Sequence, residues 1–316
     1  VFFKIFVFSL FIGSLYMLTF PFKEYLIKIS PQIENLRGTL VPILFNFTTT
    51  PLISINFLAY YIFKPKIPFK SLGFLISIIS VFITIFIFSK RTDLLNLFLL
   101  IITYLLISKN KLDLKFLSPL ILIVLGFFLL SSLEINFWTE NMKNLSYLKR
   151  FFLSGFKFLE YKPNEELILL GEVSGANERL LWWTSGIQKI ITSPFNFLLG
   201  IGQGIPLTDL IERRGAVVTE LHNSYLTILI RNGFIGFVSF IYIQWNIFSS
   251  VWSKYIRANN ELVRSTYITF LYFLVSINVF SLFQPAFEKP YFAIPYYFFS
   301  GIVVSKSIKN RKFNIQ

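Results

Sequence analysis

The chain holds a single histidine, His222, in the run Glu220-Leu221-His222-Asn223-Ser224-Tyr225. A neutral imidazole, with an ordinary pKa of about 6.5, takes a proton from a hydroxyl nucleophile near neutral pH. Glu220, two residues away, is a carboxylate placed to fix the tautomer of such a ring. A lone histidine is also commonly a structural hydrogen-bonder, and that reading stands beside the catalytic one. Two arginines offer a second chemistry. Arg91 lies in Ser89-Lys90-Arg91-Thr92 and Arg179 opens Arg179-Leu180-Leu181-Trp182-Trp183. A guanidinium binds phosphate oxygens through two parallel charge-assisted hydrogen bonds and stays charged, so either residue suits a diphosphate. The plainer readings are a snorkelling interfacial cation for Arg91 and a surface ion pair with Glu178 for Arg179. Arg213, Arg214 and Arg231 add positive charge near His222, partly offset by Asp209 and Glu212.

Other chemistries are excluded by what is missing. Gly200-Ile201-Gly202-Gln203-Gly204 has the look of a phosphate loop, but no strand precedes it and no Lys-Ser/Thr follows, so its glycines serve a tight turn. With no cysteine and one histidine there is no disulfide framework, no thiolate zinc site and no multi-histidine metal cage. No metal and no cofactor are expected.

The elements that must position these residues are set by composition. Of 316 residues, 54% are hydrophobic and only 15% charged, well under the roughly 25% charged share of a soluble domain. Mean hydropathy is +0.64, and a soluble globule is excluded. Apolar runs at 1–20, 40–63, 72–89, 94–108, 116–133, 225–252, 266–282 and 291–306 predict an all-α membrane protein, a polytopic bundle of about eight transmembrane helices. The formal charge of +14 then acts first on orientation, and nucleic acid is not an expected partner.

Between the fifth and sixth runs lies one long hydrophilic stretch with ten acidic and nine basic residues. Three parts follow: N-terminal membrane helices over 1–133, a loop domain over 134–224 carrying the candidate site, and C-terminal membrane helices over 225–316. Short loops on one side, with Lys4 and the tail, carry fourteen basic residues against six on the other, so both termini are expected inside and the long loop outside. Within that loop, Leu180, Trp183, Ile187, Ile190 and Ile191 recur at helical spacing up to Pro194. An amphipathic helix at the outer membrane interface is predicted, with Trp182 and Trp183 at headgroup depth.

The order of these motifs resembles a known family. Phe197-Leu198-Leu199-Gly200-Ile201-Gly202, then His222-Asn223-Ser224-Tyr225-Leu226 and Asn232-Gly233-Phe234-Ile235-Gly236, preceded by the Ser89–Thr92 and Arg179–Trp183 elements, is similar to the signature of the O-antigen ligase and O-antigen polymerase superfamily. The resemblance spans roughly residues 72 to 240. It implies a bacterial multi-pass glycosyltransferase of the inner (cytoplasmic) membrane, with its active site facing the periplasm. Such an enzyme moves a glycan from undecaprenyl diphosphate to an acceptor hydroxyl, without metal or nucleotide sugar. The acceptor is lipid A core for a ligase and a second lipid-linked repeat unit for a polymerase.

In this reading His222 is catalytic, and Arg91, Arg179, Asn223 and Glu220 form the substrate-binding set. The family carries more spans than the about eight read here, and the chain begins with Val1, so N-terminal helices are expected to be missing or divergent. The rival from another class is a lipid or polysaccharide transporter. A transporter calls for ionisable residues near span midpoints or for paired broken helices, and these runs carry almost none.

Overall fold

A computed structural model describes residues 2–34, 40–42, 50–64, 71–84, 91–107, 175–208 and 221–312. Among them the chain is helical apart from one pair of three-residue strands. The order is α1 (Phe2–Leu18), a 3-10 turn at Phe20–Phe22, α2 (Lys23–Ile29), β1 (Gln32–Glu34), β2 (Leu40–Pro42), α3 (Thr50–Ile62), α4 (Leu72–Ile83), α5 (Arg91–Ile107), α6 (Gly175–Ile191), α7 (Pro194–Leu199), α8 (Ser224–Arg257), α9 (Glu261–Ser281) and α10 (Pro290–Lys312).

Apolar helices occupy seven of the eight positions expected for spans, and the run at 116–133 lies outside the described residues. Two of them, α8 and α9, are long and apolar enough to cross a membrane by themselves. At the second expected span the described helix is α3, and the start of the apolar run, Leu40–Pro42, pairs antiparallel with Gln32–Glu34 instead. Pro42 lacks the N–H a helix interior needs, whereas Pro51 falls in the first turn of α3, where that donor is dispensable.

The chain forms two compact units. The first comprises 1–127, 248–277 and 295–316. In it α1 packs on α3 and α4, and α3 on α4 and α5. Phe6 sits edge-on against Phe270, Phe273 and Phe299 with ring centroids 5.2–5.4 Å apart. Several polar side chains in its interior are bonded within a helix or to a neighbouring one. Ser77, Ser80 and Thr84 donate to the carbonyls of Phe74, Ser77 and Ser80 at 2.7–3.0 Å, while the Asn56 amide reaches Ser276 Oγ at 3.1 Å and Tyr272 OH reaches the Asn96 carbonyl at 2.7 Å. In a lipid-facing bundle such bonds replace the water that is not there.

The second unit comprises 128–247 and 278–294. Its described core is Ile190, Leu207, Leu221 and Ile230, flanked by Trp182, Trp183, Ile201, Leu226 and Leu229. The predicted amphipathic helix is α6, and it packs on this core through Trp182, Trp183 and Ile190, while Ile187 and Ile191 are exposed. Trp182 and Trp183 are half-buried. Pro194 does not merely end α6: it is the first residue of α7, a position where its missing N–H costs nothing. Meanwhile Tyr242 and Trp245 on α8 are about two-thirds exposed, at 67% and 66%, which suits a lipid solvent and not water.

Candidate active site

Helix α8 is broken at Gly233, whose φ and ψ are 66° and −174°. A break strips the preceding carbonyls of their intrahelical donors. Those of Ile230 and Arg231 are met instead by the amides of Ile201 at 2.9 Å and Gly202 at 3.0 Å. The approach is backbone to backbone. A Cβ at Gly200 would run into the Arg231 carbonyl and come 2.5 Å from the Gly233 nitrogen, and one at Gly233 would strike the Leu198 carbonyl and the Gly200 nitrogen. Both glycines also hold positive φ, 81° and 66°, which L side chains rarely adopt.

Around this contact Arg231 Nη1 donates to the carbonyls of Gly202 and Ile205 at 3.2 Å each, and Gln203 Nε2 donates to Asn232 Oδ1 at 3.3 Å. Phe197 and Phe234 stack with centroids 5.7 Å apart. The glycine run is thus a turn, as expected, and the Phe197–Gly202 and Asn232–Gly236 motifs are its two interlocking halves. Arg231 is part of that lock.

The locked turn and α6 together hold the segment that begins α8. Trp183 Nε1 donates to the Leu221 carbonyl at 2.7 Å, and Leu221 is fully buried. On the other side Asn223 caps the helix: its Oδ1 accepts from the Leu226 amide at 3.1 Å, and its carbonyl accepts from the amide and hydroxyl of Thr227 at 3.0 Å. Between these anchors His222 has φ 51°, a positive value at a non-glycine residue. That conformation costs an L-residue about 1–2 kcal/mol and persists only where the surroundings dictate it. The half-buried imidazole lies against the indole of Trp182, with centroids 5.9 Å apart and planes inclined by 24°.

The turn before α10 meets this segment. The Ser224 hydroxyl, fully buried, donates to Glu288 Oε2 at 2.5 Å and accepts from the Phe287 amide at 3.1 Å. Tyr225 OH donates to Asn278 Oδ1 at 2.5 Å. Arg179, from the first turns of α6, donates from Nη1 to the Phe283 carbonyl at 3.4 Å. His222, Asn223 and Arg179 are therefore in one unit, and the His222 segment and Arg179 are tied to one turn, Phe283–Glu288.

Arg91 is the first residue of α5, in the other unit; its side chain lies outside the described residues. Glu220, Arg213 and Arg214 lie outside them as well. The carboxylate that the structure shows against this segment is Glu288, which sequence reading missed. A signal existed: Glu288 is the only acidic residue after Glu261. Among the described residues no three His, Cys, Asp or Glu side chains gather as a metal site.

A half-buried imidazole held in a strained backbone, in a segment tied to the same turn as Arg179 and Glu288, is suited to moving a proton at an anionic ligand. The family whose sequence model matches residues 73–241, a stretch that contains the glycine lock, Arg179 and His222, is described as O-antigen ligase. No curated protein matches the chain.

Proposed function

The chain belongs to the O-antigen ligase family, and from that premise we propose that it is a membrane glycosyltransferase using His222 as its general base. Membership implies a membrane protein that handles lipid-linked glycans. The proposed donor is a glycan on undecaprenyl diphosphate, and the proposed location is the inner membrane with the site facing the periplasm. The acceptor hydroxyl attacks the anomeric carbon, the bond from that carbon to the diphosphate oxygen breaks, and its electron pair leaves with the lipid diphosphate. The acceptor proton passes to the His222 imidazole. Arg179 is the group proposed to meet the charge that grows on the leaving group, without metal assistance. Single displacement predicts inversion at the anomeric carbon.

The observation that carries this reading is the held geometry of His222 inside the family-matched stretch: positive φ, a ring on Trp182, and Asn223 and Leu221 bonded on either side. A solvent-exposed, unstrained histidine would not need such support. Ligase and polymerase share this chemistry and differ in the acceptor, lipid A core for the first and a second lipid-linked glycan for the second; the ligase reading follows the family description.

The test is a His222→Ala protein assayed for donor binding and for transfer. General bases contribute about 10² to 10⁴ in rate, so turnover should fall at least about 100-fold while donor binding is kept. Lost donor binding with unchanged turnover at saturation makes His222 a diphosphate ligand instead. Full activity refutes both roles.

A further inference from the structure

Asn223 caps α8 and Ser224 is the first residue within it. The amides of a first helical turn have no intrahelical acceptors, and a negative charge beside them is favourable. The first turn of α8 contains no acidic residue. Glu288 supplies one from the turn before α10, through the Ser224 hydroxyl. That hydroxyl has a single proton and two oxygens near it: Glu288 Oε2 at 2.5 Å and the Gln284 carbonyl at 3.3 Å. The carboxylate, the stronger acceptor of the two, takes the proton. The Phe287 amide, at 3.1 Å from the same Oγ, occupies an acceptor position. Ser224, two places after His222, is thus fastened to the turn that carries Glu288.

His222 needs such a fastening on its C-terminal side. The Leu221 carbonyl on Trp183 and the indole of Trp182 hold the residue from the N-terminal side, and releasing the start of α8 removes a hold from the other side, so that its φ of 51° relaxes toward the ordinary negative range. Relaxation rotates the imidazole away from Trp182. We propose that Glu288 is a positioning residue of the transfer site: through Ser224 it pins the start of α8 and so keeps the His222 ring against Trp182, in the orientation from which it takes the acceptor proton. The second half of this inference rests on His222 being the base; the first half does not.

The chain's single histidine makes the test direct. Protein labelled with ¹³C at histidine Cε1 gives one ring signal, displaced by the ring current of Trp182, and a Trp182→Ala protein gives the undisplaced position. Ser224→Ala, which removes little volume, and Glu288→Ala should both move the signal to the undisplaced position. Glu288→Gln, which keeps an acceptor oxygen for the Ser224 hydroxyl, should leave it near wild type. In parallel, with lipid-linked glycan extracted from producing membranes as donor, Ser224→Ala should lower turnover about tenfold or more with donor KM within about twofold, and Glu288→Gln should recover most of it.

A signal unmoved in the folded Ser224→Ala protein overturns the positioning role, whatever Glu288→Ala does. A signal that moves as expected, in a protein whose His222→Ala variant transfers at full rate, upholds the positioning role and overturns the base. Moved signals with unchanged turnover, where His222→Ala is inactive, refute the claim that this orientation serves proton transfer.

Discussion

The indole of Trp182 lies over the imidazole of His222, ring centroids 5.9 Å apart and planes inclined by 24°. The neighbouring Trp183 is bonded through Nε1 to the Leu221 carbonyl at 2.7 Å, so consecutive residues of α6 grip the histidine by its ring and by the backbone before it.

Ring stacking of this kind is worth about 0.5–1.5 kcal/mol, which corresponds to roughly two- to tenfold in an equilibrium. Trp182→Ala is therefore expected to lower transfer turnover about two- to tenfold, with Trp182→Phe restoring most of it. Steady-state rates of the two purified variants decide this. Equal rates for Ala and wild type would mean the stack has no part in holding the base.

The glycines divide into two classes that thermal unfolding in detergent should separate. Gly200→Ala and Gly233→Ala drive a methyl group into opposing backbone, and each should lose several kcal/mol or fail to insert. Gly202→Ala and Gly204→Ala meet open space and bear only the left-handed cost of about 1–2 kcal/mol. A Gly200→Ala protein as stable as Gly202→Ala would contradict the lock.

Arg179 is proposed to meet the diphosphate while it also bonds the Phe283 carbonyl. Arg179→Lys keeps the charge and loses the planar fork. Turnover should drop about tenfold or more, with normal membrane insertion. Wild-type transfer by the lysine variant would reduce Arg179 to a packing and interfacial residue.

Topology is open to direct labelling because the chain lacks cysteine. Cysteines at Gln203, an exposed position of the glycine turn, and at Asn259, exposed before α9, are predicted to fall on opposite sides. An impermeant maleimide should label Gln203→Cys in intact spheroplasts and leave Asn259→Cys unreacted. The reverse pattern would move the site to the cytoplasmic face and exclude a periplasmic reaction.

The chain's local signals determined a good deal alone. Apolar runs marked where helices lie, because burying backbone polar groups in lipid leaves few other options. The periodicity from Leu180 to Ile191 marked α6, and the order of the glycine, histidine and Asn-Gly motifs marked the family. What local signals cannot carry is partnership across distance. That Gly200 meets Gly233, that Trp182 lies on His222, and that Glu288 grips Ser224 are pairings separated by 33 to 64 positions. Such contacts form only when the break in α8 exposes its carbonyls and the turn before α10 closes on the helix start, so the meeting of Glu288 with a segment 64 positions earlier belongs to tertiary packing. The same holds for Pro194, where sequence marks an interruption but only the packed chain decides that it opens a new helix.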